Sequence, residues 1–498
     1  EEFLAFLKRN VANIILFVCA FFAFGTILYF RTATTETVAS FKLNDFEIGQ
    51  ISDRTIIADK YLPPDLNNPV VVEAGEKVIK KGFPISAEQY AKLRKMAESP
   101  VYIDFRAFAN SMLYMILLGV LWCFLYSTEV VGHRIEFKEN LVEVIFFMMV
   151  FAVAVFGLKS PFFSNDYGIL IIIPAAFVIF LTTILFGQLS AYFLVCLLTL
   201  GVLAATNFSL IPALFTLCSS MSAAIIVRKI IRRVDLVLAS LMISGLNVVF
   251  VILLKVIFND DFANSWLVFA GVALNGFISG ILTLGFLTPL EIVLNTASVF
   301  RLMDLSDVNN QPIMRRMLLV AGGTYSHSMM VSSLAENAAR EIGANALLAR
   351  VGAYYHDIGK LDKSEYFTEN QGNSKNKHND INPSLSVSVI RSHVKKGVEK
   401  AVALHMPDRI IDIIREHHGN QVIAYFYNSA KEKDPNVNAE DYSYTGTPPS
   451  SKESAVVMLA DTVEAACRSL TKPSVSRIEK FVQDLIDSKI QNAMFPHF

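Results

Sequence analysis

Residues 168–186 have the sequence GILIIIPAAFVIFLTTILF, an apolar run without a charged side chain. A helix needs about 20 such residues to cross the hydrocarbon core of a bilayer, so this run predicts a membrane span. Similar apolar runs lie on both sides of it, at 11–30, 106–126, 141–158, 189–206, 208–227, 236–257 and 266–288. The predicted fold class is therefore a polytopic α-helical membrane protein with eight crossings.

The composition of the whole chain agrees with a membrane protein. Of the 498 residues 53% are hydrophobic and 18% are charged, whereas soluble proteins average about 45–50% apolar and about 25% charged residues. A net charge of −1 argues against binding of long nucleic acid, which depends on basic side chains that contact phosphates. The five cysteines form no CxxC pair, so neither a disulfide framework nor a thiolate metal site is indicated. The first residue is Glu1 rather than methionine, which indicates a chain trimmed at one or both ends.

Four regions are predicted from the changes in composition. Residues 1–30 form an N-terminal cytoplasmic stub and the first membrane helix, 31–105 a small extracellular α+β module, 106–290 a seven-helix transmembrane domain, and 291–498 an all-α cytoplasmic domain. Within the module, VVVEAGEKVIKKGFPI (residues 70–85) predicts short strands because it alternates and is interrupted by glycines. The next stretch, SAEQYAKLRKMAE (86–98), predicts a helix capped by Ser86.

Loop charges predict the orientation of the chain in the membrane. The loops 127–140 and 228–235 are basic, the first through His133, Arg134 and Lys138, whereas the loop 258–265 carries Asp260 and Asp261. Basic loops are enriched on the cytoplasmic side, so the module at 31–105 is expected outside and the residues after about 290 inside. Transport would need ionisable groups or broken helices within the spans. The spans contain few charges, and a transporter is therefore poorly supported.

Histidines and aspartates punctuate the C-terminal region. They are His327 in GTYSHSMM, His356 and Asp357 in YYHDIGK, His393 in IRSHVKKG, His417 and His418 in IREHHGN, and Asp461 in MLADTVEAA. A single helical histidine is more often a packed residue than a ligand, but imidazoles and carboxylates together, without thiolates, suit Mn, Fe, Zn or Mg. Neighbours on a helix point about 100° apart, so His356 could approach one metal while Asp357 bridges to a second. Two such metals could promote an in-line displacement at phosphorus.

The order H…HD…H…HH…D resembles the HD-domain metal-dependent phosphohydrolases. It is most similar to the seven-transmembrane HD family of bacterial cyclic di-AMP phosphodiesterases, the PgpH type. The similarity is carried by GTYSHSMMVSSLAEN, ARVGAYYHDIGKLDKSEYFTENQ, IIREHHGNQVIAYFY and SKESAVVMLADTVEAACRSL, and by the layout of external module, seven helices and HD domain. The resemblance implies that residues 291–498 are a cytoplasmic HD phosphohydrolase domain in a multi-pass protein of the bacterial cell membrane.

The resemblance also implies a site with two divalent metal ions, Mn or Fe. The first metal would be held by His327, His356, Asp357 and Asp461. The second would be held by Asp357, His393 and His417, with His418 adjacent. Lys360 would act with Asp357 in catalysis and contact phosphate, which is physically reasonable because a positive group there can stabilise charge on the non-bridging oxygens. Arg468 is a weaker candidate for substrate binding, and a solvated surface lysine is the alternative for Lys360.

The function implied is hydrolysis of cyclic di-AMP to a linear dinucleotide, regulated through the membrane or extracellular region. The expected partners are the cyclic dinucleotide and the lipid bilayer, while an unknown extracellular ligand and homodimer formation are left open. One alternative is a signalling receptor whose HD domain binds a nucleotide without turnover. Another is an HD hydrolase for a different nucleotide such as cyclic di-GMP, although HHGN at 417–420 is not followed by Gly-Tyr-Pro.

Overall fold

The structure is a computed structural model that describes residues 2–32, 41, 43–58, 61–64, 69–99, 105–131, 135–260, 265–372, 375–468, 470 and 474–496. His133, Arg134 and Asp261, which enter the prediction from loop charges, lie outside these residues. The chain divides into two compact units. The first comprises residues 1–180, 188–225 and 240–279, and the second comprises 181–187, 226–239 and 280–498.

Within the described residues, eight helical segments are long and apolar enough to cross a membrane. They contain the helices α1 (Glu2–Thr32), α3 (Phe105–Leu125), α5 (Phe137–Gly157), α6 (Ala175–Phe186), α7 (Gln188–Ala205), α8 (Leu210–Val227), α9 (Arg233–Phe258) and α10 (Ser265–Leu294), with α2 (Ala87–Glu98) and α4 (Thr128–Val131) between them. The predicted multi-pass helical architecture is confirmed. Helix α6 has only 12 residues because it begins after Pro174, which is suited to the first turn of a helix but not to its interior.

Aromatic packing and a polar contact join α1 to α5. The Phe24 ring meets the rings of Phe147 and Phe151 edge to face, each at 5.4 Å between centroids. Asn140 on α5 donates to Asn13 Oδ1 over 3.4 Å. Glu143, one turn further along α5, is fully buried, and its carboxylate oxygens accept no well-formed hydrogen bond within the described part of the chain. The spans therefore contain a buried carboxylate that their low charge content does not reveal.

The segment between α1 and α3 contains a small sheet and one helix. Strands β1 (Ile56–Ile57) and β2 (Lys77–Ile79) pair antiparallel. The Ser86 side chain accepts from the Gln89 amide while Gln89 Oε1 accepts from the Ser86 amide, so a capping box starts α2 where the sequence predicts. Apolar side chains from the strands and α2 enclose a separate core. The described residues thus contain the predicted helix and two short strands.

In its described residues the C-terminal part is built of helices joined by turns and loops, with one isolated β-bridge between Val422 and Ser443. Its α-helices are α11 (Val299–Ser306), α12 (Pro312–Val320), α13 (Gly322–Glu341), α14 (Ala346–Tyr355), α15 (Thr368–Gln371), α16 (Pro383–Ala403), α17 (Asp408–Glu416), α18 (Ala424–Lys431), α19 (Lys452–Arg468) and α20 (Val475–Gln491). Short 3₁₀ turns at Ile358–Asp362, Ser364–Tyr366, Lys377–Asp380 and Ala439–Tyr442 connect some of them. Helices α13, α14, α17 and α19 pack around one apolar core, as expected for the all-α HD domain.

Hydrogen bonds tie the end of α10 to the helical domain. The Ser298 hydroxyl donates to the buried Glu291 carboxylate. Arg301 Nη1 donates to the Glu291 carbonyl oxygen over 2.8 Å, and Arg301 Nη2 donates to the carbonyl oxygen of His405. Asn295 Nδ2 donates to the Asp408 side chain at the start of α17 over 2.8 Å. The last membrane helix is therefore fixed to the loop before α17.

Candidate metal centre

Five helices bring the predicted ligands to one place in the core. Each histidine or aspartate lies on α13, α16 or α19, or is the first or second residue after the end of α14 or α17. Six of them are at most 7% exposed, namely His327, His356, Asp357, His393, His417 and Asp461. His418 is more accessible, with 20% of its side chain exposed. All seven residues that the sequence pattern singles out therefore meet.

One group of donors surrounds Asp357 Oδ2. This oxygen lies 3.2 Å from His356 Nε2 and 3.7 Å from His327 Nε2. Asp461 Oδ1 lies 3.0 Å from His327 Nε2 and 3.8 Å from His356 Nε2. Two imidazoles and two carboxylates thus face one another within the buried core.

A second group surrounds the other oxygen of the same carboxylate. Asp357 Oδ1 lies 3.4 Å from His393 Nε2 and 3.8 Å from His417 Nε2, and the two nitrogens are 3.2 Å apart. His418 lies beside them, with Nδ1 3.6 Å from Asp461 Oδ2 and its ring stacked on Tyr444 at 4.2 Å between centroids. Asp357 therefore stands between the two groups.

Backbone carbonyl oxygens orient three of the histidine rings. His356 Nδ1 donates to the Ala353 carbonyl over 2.8 Å, and His417 Nδ1 donates to the Ile414 carbonyl over 2.8 Å. His393 Nδ1 donates to the carbonyl oxygen three residues earlier over 2.5 Å. A carbonyl can only accept, so each Nδ1 carries the proton and each Nε2 is left as an acceptor that points into the cluster.

Electrostatics keep the two carboxylates ionised. Burial would raise the pKa of Asp357, but its electrostatic interactions with His356 and Lys360 outweigh burial and hold that pKa well below its usual range. Burial would also raise the pKa of Asp461, but the hydrogen bond from His327 outweighs burial and lowers that pKa below its usual value. Burial also lowers the pKa of His327, but its interactions with the two aspartates more than offset this and raise the pKa to about 9. A positive charge is therefore favoured between these carboxylates.

The second group is neutral on its imidazole side. Burial lowers the pKa of His393 to about 4 and that of His417 to about 3, so both rings are neutral at physiological pH. With each Nδ1 engaged by the backbone, two nitrogen lone pairs face each other at 3.2 Å. Such an arrangement is unfavourable unless a cation lies between the nitrogens and the Asp357 carboxylate.

The donor set fits divalent metal ions. His356 Nε2 and Asp357 Oδ1 are buried and form no well-aligned hydrogen bond among the described residues. A buried polar atom without a partner costs roughly 1–3 kcal/mol, and a cation would remove that cost at both atoms. The sets His327, His356, Asp357 and His393, His417, His418 could each hold a metal ion. Imidazole and carboxylate donors without sulfur are suited to Mn, Fe, Zn or Mg.

Lys360 lies at the edge of this centre. Its Nζ is 2.8 Å from Asp357 Oδ2 and 2.8 Å from Glu369 Oε1, and it lies over the Phe367 ring. Only 12% of its side chain is exposed, so it is not the solvated surface lysine that the sequence left as the alternative. Burial lowers the pKa of Lys360, but Asp357 and Glu369 outweigh this effect and keep the amine protonated.

A cavity of about 740 Å³ opens onto the cluster. Its wall includes His327, Lys360, His393, His418, Tyr444 and Arg468. Arg468 also forms an ion pair with Glu464, so the predicted substrate-binding arginine has a partner in the wall. Of the aromatic triplet at 425–427, Tyr425 lines the cavity and is 72% exposed, whereas Phe426 is buried in a small core cluster.

The sequence interpretation missed three residues of this site. Glu464 contacts His327 Nδ1, Glu369 holds Lys360, and Tyr444 stacks on His418. Glu464 could have been found, because it lies one turn after Asp461 on the same face of a helix. Tyr444 carries no such signal, since it lies in a loop and reaches the site through the bridge between Val422 and Ser443.

The backbone of α16 passes close to Gly359, and this approach brings the second histidine group to the site. A Cβ atom on Gly359, two residues after Asp357, would lie 1.8 Å from the His393 carbonyl oxygen and 2.6 Å from the Gly397 amide nitrogen. Only glycine fits there, so α16 can approach the HD turn closely enough to bring His393 beside Asp357.

Comparisons with known proteins agree with this architecture. The family described as "7TM receptor with intracellular HD hydrolase" matches residues 107–298, and the family described as "HD domain" matches residues 324–466. The cyclic-di-AMP phosphodiesterase PgpH of Listeria monocytogenes serotype 1/2a (strain 10403S) is 33% identical over 434 residues, which are 86% of this chain and 60% of that protein. The Bacillus subtilis (strain 168) protein of the same name is 38% identical over 292 residues, which are 58% of this chain and 41% of that protein.

Among solved structures, the L. monocytogenes PgpH HD domain in complex with cyclic-di-AMP is 45% identical, with a TM-score of 0.37. The similarity covers 38% of this chain and 87% of that domain. The chain spans less than two thirds of the length of either curated relative. The two family matches lie in the membrane helices and in the helical domain that holds the cluster of histidines and aspartates. The chain therefore belongs to the family of seven-transmembrane proteins with an HD hydrolase domain.

Proposed function

We propose that this chain is a membrane-bound, metal-dependent phosphodiesterase that hydrolyses cyclic di-AMP to a linear dinucleotide. The observation that carries the proposal is a buried carboxylate, Asp357, that separates two groups of imidazoles at the base of a cavity. Two curated relatives are named cyclic-di-AMP phosphodiesterases. The cavity of about 740 Å³ lies within the range of roughly 300–1,000 Å³ usual for small-molecule sites.

In this proposal the two groups hold two divalent ions, Mn or Fe. The first is held by His327, His356, Asp357 and Asp461. The second is held by Asp357, His393, His417 and His418. When bound, such ions polarise a phosphoryl oxygen and supply a nucleophilic water at neutral pH. The protein's own part is to orient each Nε2 through the Nδ1 contacts and to keep both carboxylates ionised.

Lys360 and Arg468 are proposed to meet the substrate's phosphates. Lys360 Nζ is held at the cavity wall by two carboxylates and is therefore a fixed positive charge rather than a mobile one. A charge fixed in advance stabilises negative charge on phosphate oxygens without a cost of reorganisation during the reaction. Arg468, with 45% of its side chain exposed, can reach further into the cavity.

Tyr425 is proposed to stack on an adenine base. It is the member of the aromatic triplet that lines the cavity, and most of its side chain is exposed. Stacking of a base on an aromatic ring contributes roughly 1–3 kcal/mol and tolerates different bases. Tyr425 would therefore contribute affinity, whereas selection between cyclic di-AMP and cyclic di-GMP would need other contacts.

The domain boundaries and orientation belong to the same proposal. The α+β module at 31–105 lies outside the cell, 106–290 cross the membrane, and the HD domain at 291–498 lies in the cytoplasm. The basic loop at 228–235 supports this orientation. Labelling of cysteines introduced at positions 80 and 440 with a membrane-impermeant maleimide on intact cells tests it. Only position 80 should react, and reaction at position 440 alone would reverse the topology.

Regulation through the membrane would act at the junction between α10 and the HD domain. The hydrogen bonds of Asn295 and Arg301 to the loop before α17 support this part of the proposal. Helix α17 ends next to His417, so a movement of α10 would reach the second metal group. Turnover that is the same under all conditions after deletion of residues 40–95 would count against control from the external module.

The experiment for the main proposal compares substrates on the full chain in detergent with Mn. Cyclic di-AMP, cyclic di-GMP and a short RNA are each incubated with the wild type and with the double variant His356→Ala, Asp357→Ala. Cleavage of cyclic di-AMP that the double variant lacks supports the proposal. No cleavage of any substrate by a folded protein that binds Mn would favour a nucleotide receptor, and preferential cleavage of another substrate would change the assignment.

A further inference from the structure

Among the four histidines whose Nε2 points into the cluster, His327 is held differently. The Nδ1 atoms of His356, His393 and His417 donate to backbone carbonyl oxygens of their own helices. His327 Nδ1 instead faces Glu464 Oε2 on another helix. The orientation of this one ring thus depends on a side chain 137 residues further along the chain.

Glu464 is itself held in place. It lies one turn after Asp461 on α19 and its side chain is 3% exposed. Its second oxygen, Oε1, accepts from Arg468 Nη2 one turn later. Three groups therefore form a line, from the Arg468 guanidinium through the Glu464 carboxylate to the His327 ring, whose Nε2 faces the aspartates.

We infer that Glu464 is a positioning residue that orients His327 and raises the affinity of the first metal group, with Arg468 holding Glu464 in turn. A ligand histidine whose far nitrogen donates to a carboxylate has a fixed tautomer and a more basic Nε2. This inference rests on the proposed function, because it takes the cluster to hold metal. It also gives Arg468 a second role, because this side chain contacts Glu464 as well as lining the cavity that substrate would enter.

The inference predicts a graded effect of substitutions at Glu464. Glu464→Gln keeps a side-chain oxygen that can accept from Nδ1 but loses the charge. Glu464→Met has a similar length and removes both. Loss of a carboxylate behind a ligand histidine typically weakens metal binding roughly 10–100-fold, so we expect that loss for Glu464→Met and a smaller one for Glu464→Gln.

The test is a Mn titration of the full chain in detergent, followed by the electron paramagnetic resonance signal of free Mn. His327→Ala and His393→Ala first identify which binding class belongs to which group. Glu464→Met should weaken Mn binding at the same class of sites as His327→Ala does, and it should leave Mn binding at the other class unchanged. Glu336→Gln is the matched control, because Glu336 lies on the same helix as His327 and pairs with Arg340 and Arg350 away from the cluster.

Each outcome has a distinct meaning. Unchanged Mn affinity in Glu464→Met, or an equal loss at both classes, overturns the inference. If Glu464→Met does not fold, the half-exposed Arg468→Met decides, since it should give a smaller loss confined to the His327 class. If the wild type binds Mn but cleaves no nucleotide, the proposed reaction fails while the positioning role is still decided by affinity. If the wild type binds no Mn, both fail.

Discussion

Replacing Gly359 by alanine should damage both the stability of the HD domain and its second metal group. The added Cβ would lie 1.8 Å from the His393 carbonyl oxygen, whereas an ordinary contact begins at 3.4 Å. The backbone of α16 must therefore retreat by about 1.6 Å, the difference between those two distances. Overpacking of this kind costs typically about 1–3 kcal/mol. For a domain of this size each kcal/mol lowers the melting midpoint by roughly 2–4 °C.

The same retreat moves a predicted metal ligand. His393 Nε2 is 3.4 Å from Asp357 Oδ1, and functional geometry must be held within about 0.5 Å. We therefore expect Mn affinity to fall at least roughly 10-fold at the His393 class, with less effect at the His327 class. Calorimetric melting and a Mn titration of the full chain in detergent measure the two effects.

Gly322→Ala is the control for this experiment. A Cβ at Gly322 meets nothing within 4 Å, and alanine is the better helix former, so stability should be unchanged or slightly higher. The reasoning is refuted if Gly359→Ala melts within about a degree of the wild type and binds both Mn ions equally well. That result would mean that α16 and the HD turn are further apart than described.

Three further substitutions test the site and its surroundings. Tyr444→Ala removes the ring that stacks on His418 and should weaken Mn binding at the His393 class roughly 2–12-fold, from about 0.5–1.5 kcal/mol of aromatic contact that holds His418 in place; Tyr444→Phe should not, and a loss of Mn affinity for Phe would implicate the hydroxyl. Lys360→Met should lower kcat roughly 100-fold while Mn binds as well or better, because a cation competing for Asp357 is gone; weaker Mn binding would contradict a phosphate role. Hydrogen bonding to Lys400 lowers the pKa of Asp362, so Asp362→Asn should cost at most about 1 kcal/mol. A carboxyl group whose pKa is lowered by folding stabilises the folded state at pH values above its unfolded pKa, and this stabilisation is lost on acidification. The cost of Asp362→Asn should therefore be constant from about pH 7 to 5 and vanish well below pH 3.8. A cost that grows on acidification would contradict this reasoning.

The membrane helices could be predicted because the bilayer imposes a local rule. A span must satisfy its backbone internally and present apolar side chains along its whole length, so a run such as 168–186 is sufficient by itself. The burial of Glu143 cannot be predicted from the neighbouring sequence alone. Whether a single carboxylate within an apolar run faces lipid or protein depends on how α5 packs against its neighbours.

The cluster of histidines and aspartates was predictable as a set because the family resemblance links positions that are far apart in the chain. Their metal-binding roles remain predictions until metal affinity is measured. The one-turn spacing from Asp461 could have pointed to Glu464, whereas Glu369 and Tyr444 act through contacts between different helices or loops that the sequence does not reveal. The glycine in HDIGK likewise becomes interpretable only when the path of α16 is known.

The way the rings are held determines which of them mutation can alter. The orientations of His356, His393 and His417 depend on carbonyl oxygens that every amino acid supplies, so no single substitution at Ala353, Ile390 or Ile414 removes an acceptor. The His327 ring instead faces a single side chain, that of Glu464. In the proposed metal site, a substitution at position 464 would therefore alter how His327 is held, whereas the other three rings would keep their carbonyl acceptors.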